Sequence, residues 1–290
     1  MMHDDQLTVS AGVVRSLVDE QFPAWRELPL KPLDTQGTVN AIFRLGDGLT
    51  ARFPLQPRAD ARAWLEREAA AAAELLGHTR FATPEPIAIG EPGPGYPLPW
   101  SVQTWVPGEV VTDQILGDEF ARDLAEFFSA VRAIPVHNRK FSGPGRGGDL
   151  KAHDEWMEVC LAHSENAPAL RRVWSELREL PRGDAPDVMN HGDLIPGNIL
   201  TAYGRLEGVL DVGGLGPADP ALDLVSGWHL LEAGPRETLR TALGCDELEW
   251  RRGMAWAFEQ AMGLPWYYET TNPPMAALGR RTLARILSSF

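Results

Sequence analysis

The chain changes character close to residue 106, and this change constrains its fold more than any other feature of the sequence. Before it, short strand-like runs alternate with turns, and after it, amphipathic segments follow one another. In residues 118–134, for example, Phe120, Leu124, Phe127 and Val131 recur at helical spacing. We therefore predict an α+β chain of two lobes, a β-rich lobe at residues 1–106 and a larger, mostly helical lobe at residues 107–290.

The first lobe is predicted to hold a small antiparallel sheet and one main helix. Residues 40–45 and 49–53 flank Gly46-Asp47-Gly48, an arrangement typical of a β-hairpin. Residues 61–76 are rich in strong helix formers and end at Gly77. Two further strands are expected, at residues 87–89 and 100–106.

The second lobe contains several more segments with helical spacing. Besides residues 118–134, these are residues 149–163, 170–180, 223–231, 247–262 and 274–287.

Charge and cysteine content limit the partners and the compartment. The 27 basic and 40 acidic residues give a net charge of −13, which repels nucleic acid and anionic lipid and suits a cationic small molecule. The longest uncharged stretch, residues 92–108, contains five prolines and does not read as a membrane helix. With no apparent signal peptide and two isolated cysteines, the cytoplasm is the expected location.

The densest group of polar and glycine residues lies between Met189 and Gly214. Residues 199–202 and 206–210 are predicted strands, and a type II′ turn at Gly204-Arg205 would place Asn198 opposite Asp211, with Cβ atoms about 5 Å apart. An amide oxygen and a carboxylate are ligands that Mg²⁺ accepts. Asp193, in the adjacent loop, could accept a proton from a substrate hydroxyl.

These motifs resemble the catalytic core of the aminoglycoside phosphotransferase family, which has the two-lobed protein-kinase-like fold. The resemblance rests on HGDLIPGN, LDVGG and ADPALDL, and matching motifs run from about Gly37 to Trp228. It implies an enzyme that uses ATP or GTP and Mg²⁺ to phosphorylate a hydroxyl group of a small molecule.

The resemblance also assigns roles to single residues. Asp193 would be the catalytic base, Asn198 and Asp211 would hold Mg²⁺, and His191 and Asp223 would support the catalytic loop. Asp219, in the same segment as Asp223, has a simpler alternative interpretation as a helix N-cap before Pro220.

In the first lobe, the resemblance places nucleotide-binding residues at two turns. Gly37, Thr38 and Asn40 would form the turn over the phosphates, where small residues let backbone N–H groups approach phosphate oxygens. The hinge that binds the purine through its backbone would include Gln103, Thr104 and Val106. Without the resemblance, the same residues read as a hairpin loop and a buried strand.

Arg52 and Glu68 match the kinase ion pair, but Arg52 stands where protein kinases carry lysine. The chain has only three lysines, at positions 31, 140 and 151, so Arg52 must bind the phosphates or the role is vacant. The alternative is a solvated strand arginine paired with an exposed glutamate. Ile195, where many relatives have histidine, is a second departure from the family pattern.

Several alternatives stay open at this point. The preferred acceptor is an aminoglycoside, the alternatives are a macrolide or a metabolite such as choline, homoserine or a sugar, and a non-catalytic nucleotide-binding protein is the rival function. No substrate-binding residue and no oligomeric state is assigned. Gly143, Gly145 and Gly148 match a dinucleotide fingerprint only by count, because they follow a helix and include Pro144, so this segment is interpreted as a flexible loop.

Overall fold

The computed structural model describes residues 6–33, 39–112 and 114–290. They form two compact units. Among these described residues, the first unit takes those in Met1–Leu76, Ala82–Pro107 and Val209–Gly213, and the second takes those in Gly77–Phe81, Gly108–Gly208 and Gly214–Phe290. The segment that carries Asp211 therefore belongs to the first unit, although the sequence-based boundary assigned it to the second lobe.

The first unit is built on a five-stranded antiparallel sheet with strand order β1-β2-β3-β5-β4. The strands are β1 (Leu30–Leu33), β2 (Asn40–Leu45), β3 (Leu49–Pro54), β4 (Pro86–Gly90) and β5 (Trp100–Thr104). Arg52, on the central strand β3, pairs with Ile42 on one side and Ser101 on the other. The ladder hydrogen bonds on both sides fix the backbone from which the Arg52 side chain extends.

The described residues of this unit form two α-helices, α1 (Ala11–Gln21) and α2 (Ala61–Leu75). Helix α2 agrees with the sequence-based prediction, whereas α1 was not predicted. Val14, Leu17 and Val18 form the buried stripe of α1, and Ser10 caps it by accepting a hydrogen bond from the Val13 N–H.

An aromatic core holds the sheet together. Phe53 stacks on Trp100 with ring centroids 4.8 Å apart, and Tyr96 donates from its hydroxyl to the Pro54 carbonyl at 2.6 Å. Gly90 is required beside this core because an added Cβ would lie 2.2 Å from the Trp100 ring. These contacts fix β3 and β5 relative to each other, and both strands carry residues of the candidate site.

Helices make up most of the second unit. They are α3 (Asp118–Arg132), α4 (Asp154–Ala162), α5 (Ala167–Leu177), α6 (Val225–Leu230), α7 (Ala233–Leu243), α8 (Glu247–Tyr267) and α9 (Pro273–Leu287). All but α7 overlap the predicted segments. No helix in the described part of the chain has both the length and the apolar character needed to cross a bilayer.

The strands of the second unit are short and form two small sheets, in the order β6-β8-β9 and β10-β7. They are β6 (Glu109–Val110), β7 (Val188–Asn190), β8 (Ile199–Ala202), β9 (Arg205–Val209) and β10 (Gly216–Ala218).

The predicted turn at Gly204-Arg205 is wrong. The turn consists of Tyr203 and Gly204, whose φ angles of 52° and 73° are both positive, as a type I′ turn requires. Asn198 precedes β8 and Asp211 follows the end of β9. The predicted cross-strand pairing of Asn198 with Asp211 is therefore wrong, because neither residue lies in the ladder.

Candidate active site

The second unit places Asp193 and Asn198 in direct contact. A 3-10 turn at Pro196–Asn198 brings the chain back, and the Asn198 Nδ2 donates to the Asp193 carbonyl at 2.9 Å and to Asp193 Oδ2 at 3.2 Å. Because the amide nitrogen is used in this way, Oδ1 is the Asn198 atom that can ligate a metal ion. The backbone of Ile195 takes part in this turn, since its N–H donates to the Asp193 carbonyl and its carbonyl accepts from the Asn198 N–H, both at 3.0 Å.

The main chain before Asp193 is fixed by a buried carboxylate. Asp223 accepts hydrogen bonds from the His191 N–H at 2.7 Å and from the Gly192 N–H at 2.9 Å. The fully buried His191 ring accepts from the Asp193 N–H through Nδ1 at 3.3 Å. Burial raises the pKa of Asp223, and this effect exceeds the opposing influence of His191 and of the two N–H donors. Asp223 and His191 thus hold the backbone of the loop that carries Asp193.

Two side chains that the sequence did not reveal approach the Asp193 carboxylate. Gln260 on α8 donates from Nε2 to Asp193 Oδ1 at 3.5 Å, and Nη2 of Arg146 lies 3.9 Å from the same oxygen. The pKa of Tyr268 is raised by burial first and then by the charges of Tyr267 and Asp193. No spacing rule connects positions 146, 193 and 260, which explains why these neighbours were missed.

A buried histidine orients Gln260. His229 Nε2 lies 3.2 Å from Gln260 Oε1, and its Nδ1 lies 2.8 Å from the Thr282 Oγ1. Since an amide oxygen only accepts, His229 must carry its hydrogen on Nε2 and accept from Thr282 on Nδ1. Burial lowers the pKa of His229 to about 4, so this neutral tautomer persists at neutral pH. Its bond to Oε1 turns the Gln260 amide nitrogen toward Asp193.

The first unit brings Arg52, Glu68, Gln103 and Asp211 together. Nη1 of Arg52 lies 3.4 Å from Glu68 Oε2 and 3.5 Å from Gln103 Oε1, and Nη2 lies 3.4 Å from Asp211 Oδ1. The Arg52 and Glu68 side chains are only 12% and 14% exposed. The alternative of a solvated pair on the sheet surface is therefore wrong.

The Arg52–Glu68 pair is partly desolvated. Burial raises the pKa of Glu68, Arg52 opposes that effect, and the nearby Asp211 carboxylate adds to it. Two carboxylates facing one guanidinium leave the group with excess negative charge, a setting in which a further cation is stabilised. Asp211 has a φ of 55°, a conformation that aspartate tolerates better than most side chains.

A cavity of about 230 Å³ lies beside this cluster. Arg52 and Glu68 contribute its polar wall, and its apolar wall comes from α2, β4 and β5, including Leu65, Ala72, Ile89 and Val102.

Two of the N–H groups in the predicted hinge form hydrogen bonds inside the first unit. Thr104 donates to the Glu85 carbonyl at 2.9 Å and Trp105 donates to the Gly48 carbonyl at 2.8 Å. Within the described residues, the N–H of Val106 has no such backbone partner. Of the other predicted hinge residues, Gln103 contacts Arg52 through its side chain.

The predicted phosphate turn is only partly described. Gly37 and Thr38 lie outside the described residues, and Asn40 is 8% exposed and pairs with Pro54 at the end of the β2–β3 ladder.

The donors proposed for Mg²⁺ are of the correct chemical type. The Asp211 carboxylate and the Asn198 amide oxygen are hard oxygen ligands, and the Asp211 side chain is 46% exposed. Both side chains therefore offer oxygen atoms of the kind that Mg²⁺ binds.

Asp219 is not a helix N-cap, because α6 begins only at Val225. Its carboxylate instead accepts from the Ala221 N–H at 3.0 Å, from Arg252 Nε at 2.7 Å and from Trp256 Nε1 at 3.0 Å. The two bonds from Arg252 and Trp256 tie the segment after β10 to α8, and the bond from Ala221 closes a turn within that segment.

The sequence is similar to a known protein family and to curated proteins. The profile of the family described as the phosphotransferase enzyme family (APH) matches residues 32–256. An aminoglycoside 3′-phosphotransferase from Salmonella typhimurium is 28% identical over 143 residues, which are 46% of this chain and 52% of that protein. One from Escherichia coli is 30% identical over 145 residues, covering 46% and 53% of the two chains. The chain thus spans about half the length of these curated relatives.

Solved structures resemble the chain over most of its length. The GDP complex of aminoglycoside 2′-phosphotransferase-IIIa has a TM-score of 0.72 at 18% identity and covers 95% of this chain and 98% of that one. A macrolide 2′-phosphotransferase from Brachybacterium faecium has a TM-score of 0.64 at 20% identity, with coverages of 92% and 97%. These similarities confirm the predicted α+β, protein-kinase-like fold.

Proposed function

Because the chain belongs to the phosphotransferase enzyme family, we propose that it transfers the γ-phosphate of ATP or GTP to a hydroxyl group of a small molecule. The observation that carries this proposal is the double contact of Asn198 Nδ2 with the carbonyl and Oδ2 of Asp193. It orients a carboxylate to accept a proton and leaves an amide oxygen to ligate a metal, the two tasks that a phosphotransferase loop performs.

In this proposal, the Asp193 carboxylate accepts a hydrogen bond from the acceptor hydroxyl and takes its proton as the oxygen bonds to the γ-phosphorus. The bond from that phosphorus to the bridging oxygen breaks, and the nucleoside diphosphate leaves with the electron pair. Arg52 neutralises phosphate charge, and the backbone N–H of Val106 donates a hydrogen bond to the purine ring of the nucleotide. Mg²⁺ held by Asp211 and Asn198 would supply positive charge beside the phosphates when bound.

The preferred acceptor is an aminoglycoside. The two curated relatives are aminoglycoside 3′-phosphotransferases, one solved neighbour is a kanamycin complex, and the net charge of −13 favours a cationic acceptor. A macrolide is the alternative, because a macrolide 2′-phosphotransferase shares the fold. Choline, homoserine and sugars belong in the same screen.

The test is an acceptor screen that measures nucleotide consumption with ATP and GTP separately, with and without Mg²⁺. Asp193→Asn should abolish turnover, whereas Asp184→Asn, an exposed aspartate of the same unit, should leave it unchanged. Full activity of Asp193→Asn would contradict the proposed base. Nucleotide binding without turnover across the whole panel would favour the non-catalytic alternative.

A further inference from the structure

The glycine-rich loop at residues 143–148 carries an arginine to the candidate base. Nη2 of Arg146 lies 3.9 Å from Asp193 Oδ1, and its Nη1 lies 3.9 Å from Glu259 Oε2. Both separations exceed hydrogen-bonding distance, so these carboxylates attract the guanidinium without engaging its N–H donors in short bonds. The side chain is 28% exposed and remains accessible to a ligand.

Glu259 holds the inner side of this guanidinium. It lies on α8, is 4% exposed, and accepts a hydrogen bond through Oε1 from His153 Nδ1 at 3.0 Å. Its Oε2 is buried and has no hydrogen-bond partner within the described residues. An isolated buried carboxylate oxygen is costly, and the charge of Arg146 offsets that cost.

The end of the loop is anchored to the second unit. The Gly147 carbonyl accepts from the Asp219 N–H at 2.9 Å, and the Gly148 carbonyl accepts from Arg252 Nη2 at 3.2 Å. An added Cβ on Gly147 would lie 2.7 Å from the Ala218 Cβ. The backbone next to Arg146 is thus held in place, unlike that of a flexible surface loop.

We propose that Arg146 is a further catalytic residue, which donates hydrogen bonds to oxygens of the phosphoryl group during its transfer. This inference rests on the proposed function. An acceptor hydroxyl bonded to Asp193 lies about 2.7 Å from the carboxylate, and the phosphorus bonds to that same hydroxyl oxygen. The other phosphoryl oxygens then come within reach of a guanidinium 3.9 Å from Oδ1, and its planar fork suits paired phosphate oxygens.

The test measures the affinity of the protein for ADP or GDP in the presence of Mg²⁺, with and without aluminium fluoride. The planar aluminium fluoride complex mimics the phosphoryl group in the transition state of its transfer. A site built for transfer binds the fluoride complex more tightly than the diphosphate alone. In Arg146→Gln, the increase in affinity caused by aluminium fluoride should be about 100-fold smaller than in the wild type, whereas the affinity for the diphosphate alone should be unchanged. Arg146→Lys should recover part of the gain, and Arg172→Gln, which removes an exposed arginine from α5, should keep all of it.

Each outcome separates the two proposals. An Arg146→Gln variant that keeps the whole fluoride gain, or wild-type protein that shows no gain while binding the diphosphate, would overturn the inference alone. Wild-type protein that binds neither nucleotide would overturn the proposed function and the inference with it. Urea unfolding of every variant identifies a folding defect, and the partial recovery in Arg146→Lys is the result that a purely structural arginine would not give.

Discussion

The main chain of Gly213 passes directly against Glu68, so closely that a Cβ added to the glycine would lie 2.6 Å from the Glu68 Cγ. Glu68 lies 3.4 Å from Nη1 of Arg52, and Arg52 contacts Asp211 two residues before this glycine. The absence of a side chain at Gly213 therefore leaves the space in which the ion pair forms.

Gly213→Ala should displace Glu68 and disturb its contact with Arg52. Overpacking of this kind costs about 1–3 kcal/mol of unfolding free energy, and nucleotide affinity should fall as Arg52 loses its partner. Gly48→Ala is the matched control in the same unit, because nothing lies within 4 Å of its added Cβ. Urea unfolding and nucleotide titration measure the two effects, and equal behaviour of the two variants would contradict this account.

Arg52 offers a direct test of the position where protein kinases carry lysine. Arg52→Gln should weaken nucleotide binding by about 10- to 100-fold, because a charge-assisted contact with phosphate is lost. Arg52→Lys keeps the charge but loses the fork that reaches Glu68, Gln103 and Asp211, so an intermediate loss is expected. Arg67→Gln, with a side chain 60% exposed on α2, removes the same charge and should bind as wild type. An unchanged nucleotide affinity in Arg52→Gln would show that Arg52 does not bind the phosphates.

The parts of the fold that were predictable have strong local signals. The β2–β3 hairpin is marked by its turn residues, and α2 and α3 by composition and spacing. Strands β7 and β10 are three residues each and pair across a wide separation, Asn190 with Gly216, so no local pattern marks them. The β8–β9 turn was misplaced by one residue, because both Tyr203-Gly204 and Gly204-Arg205 are plausible two-residue turns.

The candidate site divides in the same way. Asp193 and Asn198 were proposed because both lie in the short motif HGDLIPGN, and Arg52 and Glu68 because their motifs match the family pattern. Arg146 was dismissed with its glycine-rich loop, since only tertiary structure brings that loop to Asp193. The spacing of the glycines in this loop gives no indication that the Arg146 side chain lies near Asp193.

Asp123 on α3 provides a test of stability away from the site. Its side chain is 3% exposed and accepts from Arg80 Nη2 at 2.8 Å, from Arg205 Nε at 2.6 Å and from the buried Leu206 N–H at 3.2 Å. Burial alone would raise the pKa of Asp123, but these donors outweigh it and the pKa is lowered.

Asp123→Ala should lower the unfolding free energy by about 3 kcal/mol, because a buried N–H and two arginines lose their acceptor. Glu126→Gln is the matched control: it also removes a carboxylate partner of Arg80, but both side chains of that pair are 52% exposed. This exposed pair should contribute less than about 1 kcal/mol. Urea unfolding of both variants measures the two decreases in unfolding free energy, and equal decreases would contradict this account.

The buried His229 should make the stability of the protein depend on pH. Burial lowers its pKa from 6.5 to about 4, with Arg146 and Arg285 contributing in the same direction, while Gln260 opposes the shift. Between these values the unfolded chain binds a proton at this histidine and the folded chain does not, so the unfolding free energy falls as the pH decreases. From about pH 7.5 to about pH 5, the loss from this group should be about 2 kcal/mol.

His229→Gln removes the titration and keeps a polar side chain near Gln260 and Thr282. Its unfolding free energy should be below that of the wild type near neutral pH, and the difference should narrow by about 2 kcal/mol at about pH 5. His137→Gln, at an exposed histidine of the same unit, should follow the wild-type curve throughout. Urea unfolding at several pH values checks this, and parallel curves for His229→Gln and wild type would show that His229 titrates equally in the folded and unfolded chains.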